Sequence, residues 1–189
     1  MSVYEIAPRN WRRGLWRDRR GSVAVAFALL IPFIAILSVA ILEFAGASLD
    51  YHRAGEATRR GARLAAILPP VADLSALQPS AQIVCTASGT APSCDGAVPE
   101  TPETFDSVFA AMNAMLPAIA RENVEIIYSQ SGLGDANMPG GILPLVQVRL
   151  SGVGHPYALL DALVPGLPGE LVLPAFSTTS LAGGYQTAN

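Results

Sequence analysis

The sequence predicts an α+β protein: a long N-terminal transmembrane helix extended outside the membrane, then a small domain with one amphipathic helix and an antiparallel sheet of three or four strands. Three observations carry this expectation. An apolar run from Gly21 to Leu42 holds no charged side chain, the chain from Glu43 to Leu68 holds no proline and is rich in helix formers, and the β-prone runs all fall in the last third. The expected divisions are a cytoplasmic basic tail at 1–20, a membrane span at 21–43, a helical extension at 44–68, a proline-rich loop region at 69–102 and a periplasmic α+β domain at 103–189.

The span comes first because it decides where the chain resides. At 1.5 Å rise per residue, the Gly21–Leu42 run just crosses a hydrocarbon core about 30 Å thick. Charge then sets direction. Residues 1–20 hold six arginines against Glu5 and Asp18, whereas residues 64–189 hold only Arg121 and Arg149 against ten acidic residues. Short basic segments stay in the cytoplasm, so the N-terminus is expected inside and the C-terminal part in the periplasm of a bacterium with its inner membrane spanned once. A cleaved secretory signal ending at Ala45-Gly46-Ala47 is the rival reading. Its apolar core usually runs about 7–15 residues, and this run is longer, with Pro32 inside it and Glu43 just before the candidate cut.

Beyond the span, EFAGASLDYHRAGEATRRGARLAAIL should continue the same helix until Pro69-Pro70 stop it. Small residues at Ala47, Ala54, Ala57, Gly61 and Ala65 form a seam that lets another helix or sheet come close. Such a surface suits either a partner or the protein's own domain. Ala54, Ala57, Gly61 and Arg63 are taken as candidate partner contacts. Arg59, Arg60 and Arg63 could instead meet lipid phosphates or simply be solvated. Glu43, at the outer edge of the span, is a further candidate partner contact: a registry contact with another single-span protein, or else a solvated interfacial carboxylate.

The proline-rich stretch that follows is expected to be irregular and to hold the two cysteines, Cys85 and Cys94, with CTASGTAPSC between and including them. On the oxidising side of a membrane this pair reads as a disulfide, since His52 and His155 are too few and too scattered to complete a metal site. Closing so short a loop contributes about 2–3 kcal/mol in the chain-entropy treatment.

Thr101-Pro102 then resembles a helix start, and Phe105, Val108, Phe109, Met112, Leu116 and Ile119 recur at helical spacing, predicting an amphipathic helix over 103–121 that Pro117 bends or shortens. Strands are expected at Asn123–Gln130, Ile142–Ser151 and Leu171–Leu181. The turn-rich SGLGDANMPGG joins the first two as a hairpin, and Val146, Val148 and Leu150 alternate with Gln147 and Arg149 as a half-buried strand does. His155 to Leu163 is expected to be a short helix or an excursion.

Three segments closely resemble the TadE-like and TadG-like family of tight-adherence (Flp-type) pilus assembly proteins: RRGSVAVAFALLIPF, ILEFAG and EATRRGARLAA, together covering most of residues 19–66. The resemblance implies a pilin-like layout and a role as an accessory or minor, pseudopilin-like subunit in assembling a pilus or related secretion apparatus. Its partners would be other single-span pilus assembly subunits and membrane lipid. It also implies a candidate prepilin-peptidase site at Gly21-Ser22. Pseudopilin members carry a glutamate just before the residue that is Phe27 here, and this chain has Ala26 instead, which argues against cutting and against building into a filament.

Other function classes fit poorly. An acidic exterior with two arginines lacks the basic face that nucleic acid requires. No GxSxG, HExxH, P-loop or dinucleotide fingerprint occurs, so no enzymatic role, cofactor or small-molecule substrate is expected. The alternative class is a membrane-tethered periplasmic module that binds a ligand or the cell wall.

Overall fold

A computed structural model describes residues 21–75, 77–78, 80–134, 142–164 and 166–183. The basic tail 1–20 and most of the connector between the first two predicted strands lie outside them. Helix α1, Ser22–Ile67, is one unbroken element of 46 residues, roughly 69 Å at the standard rise. Every residue from Gly21 to Ser38 is exposed within the chain, and this half is long and apolar enough to cross a membrane. Burial begins at Glu43 and continues along one face at Ala47, Ala54, Ala57, Thr58, Gly61, Ala62, Ala65 and Ala66. The helix ends where expected, because the residue before Pro69 is held extended: Leu68 has φ −76° and ψ 158°.

Strands β1 (Gln82–Thr86) and β2 (Ser93–Asp95) form a hairpin, and helix α2 covers Pro102–Asn113. Strands β3 (Val124–Gly134) and β4 (Ile142–Leu150) pair next. After them come β5 (Gly154–Pro156), the single-turn helix α3 (Leu160–Leu163), β6 (Glu170–Val172) and β7 (Phe176–Leu181). The main sheet is antiparallel and five-stranded, in the order β2-β1-β3-β4-β7, while β5 and β6 form a separate ribbon.

The α+β layout holds, and three details differ from the sequence reading. The sheet has five strands instead of three or four, because the cysteine region is not irregular: Cys85 and Cys94 are directly opposed in the β1–β2 hairpin and are disulfide-bonded. The β-branched core of Gln-Ile-Val-Cys-Thr supplies a strand that the surrounding prolines and glycines disguise. Helix α2 stops at Asn113 instead of 121, since Pro117 removes an N–H and disfavours helix at Leu116. Leu116 and Ile119 are still buried, held by tight turns. Finally, the run 171–181 breaks at Pro174, which has no N–H for a ladder, into β6 and β7.

The core lies between one face of the sheet and the two helices α1 and α2. Val146, Val148 and Leu150 point inward as the alternation predicts, and Arg149 pairs with Glu125 across the solvent face at 3.7 Å. Tyr128 is fully buried, its hydroxyl oxygen accepting the Val71 N–H at 3.0 Å, and burial pushes its pKa up to about 12. That bond, together with Thr104 Oγ1 donating to the Pro69 carbonyl at 2.8 Å, ties the chain just past α1 to the sheet and to α2. Arg121 lies over the rings of Phe105 and Phe109 and donates to Asp106 and to the Thr90 carbonyl, which fixes the cysteine hairpin's loop to α2.

At Gly61 helix α1 packs tightly against α2 and the sheet. A Cβ there would sit 2.7 Å from Met112 Sδ and 3.3 Å from Val148 Cγ1. Gly61→Val should therefore lower the unfolding free energy by about 1–3 kcal/mol, read from thermal melts of the purified protein, while the exposed Arg63→Ala stays within about 0.5 kcal/mol. Replacing Cys85 and Cys94 together by serine should cost about 2–3 kcal/mol and speed hydrogen exchange over 82–95 more than in β3 and β4.

Candidate functional site

Glu43, Gly46 and Asp50 occupy one face of α1 at the end of the apolar run, at helical spacing i, i+3 and i+7. The β5–α3–β6 excursion docks on this face. The Glu43 carboxylate, 8 % exposed, accepts through Oε1 the backbone N–H groups of Ala158 at 2.8 Å, Leu159 at 2.7 Å and Leu160 at 3.4 Å. One turn further out, the His155 ring lies over Gly46, whose absent side chain leaves 3.3 Å between a built Cβ and His155 Cε1. His155 Nδ1 is 2.7 Å from Asp50 Oδ2, and Arg53 reaches the other Asp50 oxygen at 3.4 Å.

The chemistry of this site is that of a clasp. Three orphan N–H groups leading into a single helical turn need an acceptor, and a carboxylate is the strongest one available. The clasp continues outward: Tyr51 stacks edge-on against Phe176 at 4.9 Å between centroids, and Thr178 donates to Thr58 at 3.3 Å. Near the far end, the Gly183 N–H bonds the Ala66 carbonyl at 3.2 Å. Strand β7 thus runs alongside the outer half of α1 from bottom to top.

These contacts revise the candidate partner residues. Ala54 and Ala57 are fully buried in the protein's own core and Gly61 is covered by Met112 and Val148, so the small-residue seam serves the close approach of sheet and helix within the chain. Glu43 is neither a freely solvated carboxylate nor open to another span; its register contact is with residues 158–160. Of the named candidates Arg63 alone stays exposed, along with Arg59 and Arg60 beside it. Gly21 and Ser22 lie at the exposed start of α1. The pairing of His155 with Asp50 was missed, since 105 residues separate them; the i, i+3, i+7 set of Glu43, Gly46 and Asp50 was the available signal.

Among the described residues no group of three His, Cys, Asp or Glu side chains is placed to hold a metal ion. No family model, curated protein or solved structure matches this chain.

The clasp is tested at its acceptor. Glu43→Ala leaves three N–H groups without their partner, whereas Glu43→Gln keeps a neutral acceptor of the same shape. Hydrogen exchange at Ala158–Leu160 should accelerate in the order Ala, then Gln, then the unaltered chain, with β3 and β4 unchanged. Equal exchange in all three proteins would show that Glu43 does not hold the excursion.

Proposed function

We propose that this is a single-pass protein of the bacterial inner membrane, N-terminus in the cytoplasm and domain in the periplasm, acting as an accessory or minor pseudopilin-like subunit in assembling a tight-adherence pilus or a related secretion apparatus. The observation that carries the reading is the continuity of α1: one helix is bare and apolar over its first half and forms the spine of an α+β domain over its second. A pilin-like layout of this kind suits a subunit that works by packing, because a continuous helix transmits the position of its membrane half to the domain without a hinge. The resemblance of residues 19–66 to the TadE-like family supplies the context. Catalysis, cofactors and nucleic acid have no part in this role.

Internal packing of the seam moves the proposed partner surfaces elsewhere. They are the apolar half of α1, exposed from Gly21 to Ser38, and the exposed arginine face at Arg59, Arg60 and Arg63. In a bilayer, single helices associate by van der Waals fit and interhelical hydrogen bonds, so the membrane half is itself an assembly surface.

The test is photo-crosslinking in living cells, with the crosslinking residue at Phe33, Arg63 or, as a buried control, Ala57. Phe33 and Arg63 should capture other single-span assembly subunits, identified by mass spectrometry, and Ala57 should capture none. A reporter active only outside the cytoplasm should be active when fused after Leu68. Capture of cell-wall fragments in place of single-span proteins would replace the assembly reading with that of a tethered wall-binding module.

A further inference from the structure

The β5–α3–β6 excursion carries large apolar side chains that stay exposed among the described residues. Leu159 is 56 % exposed and Leu163 46 % exposed, on a segment whose backbone is clasped to Glu43. Glu43 is the first charged residue after about 22 apolar ones, a length of roughly 33 Å against a hydrocarbon core of roughly 30 Å. Leu159 therefore sits at the level where α1 leaves the bilayer. Its N–H is 2.7 Å from the Glu43 carboxylate, so no tilt of the helix can carry it far from that plane.

The path of the excursion gives its direction. His155 is fastened to Asp50, seven residues or roughly 10 Å farther out along α1 than Glu43. From His155 the chain descends to Ala158–Leu160 and α3, then returns through β6 to pair with β5. The start of α3 is thus held at the level of Glu43, below the Asp50–His155 contact. Phe44, 74 % exposed, lies beside the clasp on the helix itself.

We propose that this excursion is a foot that rests on the outer leaflet, with Leu159 and Leu163 seated among the lipid headgroups and upper acyl chains. The inference rests on the reading that the apolar half of α1 spans a bilayer, and is independent of any role in pilus assembly. The occupant is lipid and not protein because the clasp pins these leucines at the membrane boundary, where lipid surrounds a single span on all sides. From 154 to 172 the excursion carries Asp161 and Glu170 as its acidic residues and no arginine or lysine. Binding by apolar burial, with no basic patch to attract anionic headgroups, makes the contact indifferent to headgroup charge. With α1 already inserted, the foot fixes the angle between domain and membrane.

Depth-dependent quenching tests this on the full chain in phospholipid vesicles, at one protein per vesicle, with the natural Trp11 and Trp16 replaced by phenylalanine. A single tryptophan is introduced as Leu159→Trp, Leu163→Trp, Phe33→Trp within the apolar run, or Val98→Trp, which is 75 % exposed and lies past the far end of α1. The vesicles carry lipids brominated on the upper acyl chain, either wholly zwitterionic or with anionic lipid added. Leu159→Trp and Leu163→Trp should lose at least about twofold more emission than Val98→Trp, equally in both lipid mixtures. If Phe33→Trp is quenched while both leucine variants match Val98→Trp, the foot is refuted and the span stands. If Phe33→Trp itself escapes quenching, the span fails and the foot with it.

Discussion

The close approach of α1 to the sheet is the constraint on which the rest of the molecule depends. Alanines at 54, 57, 62 and 65 and glycine at 61 make a face with almost no side-chain depth, so the helix backbone comes within reach of Met112 and Val148. Each such contact is weak, and their sum holds because close-packed surfaces gain many small dispersion terms. A helix with larger residues on this face would stand farther from the sheet and be free to roll. With this face, one orientation satisfies both surfaces.

That orientation is transmitted. The helix has no break between its exposed apolar half and its buried outer half, so whatever positions one half positions the other. The clasp at Glu43, Gly46 and Asp50 adds a second fastening below the seam, made of charged and polar groups where the seam is apolar. The two fastenings differ in their physics. The seam depends on shape, and the clasp depends on giving an acceptor to N–H groups that would otherwise have none.

On the far side of the sheet the stabilising devices are local. The Cys85–Cys94 bond ties the edge strand β2 to β1, and Arg121 bridges that hairpin's loop to α2 through aromatic and carbonyl contacts. The two arginines of the second half, Arg121 and Arg149, are both engaged within the domain. The exposed basic groups described outside the tail are accordingly confined to α1, at Arg53, Arg59, Arg60 and Arg63, and to Arg149 on the open face of the sheet.

The sequence by itself determined the elements whose cause is local. The apolar run, the Pro69-Pro70 stop, the periodicity of Phe105 to Met112 and the alternation of Val146, Val148 and Leu150 each arise from neighbours in the chain, and each is found where its pattern places it. The cysteine pairing was legible too, because its partners are close in sequence. Only the tertiary structure decided what the small-residue seam packs against, since smallness allows a close neighbour without choosing one. It also decided the partners of Glu43 and Asp50, which lie more than a hundred residues away, and added the β1–β2 hairpin to the sheet. Hydrogen-bond acceptors and sheet edges are satisfied by whatever folding brings beside them, and that proximity is a property of the whole chain's path rather than of any stretch of it.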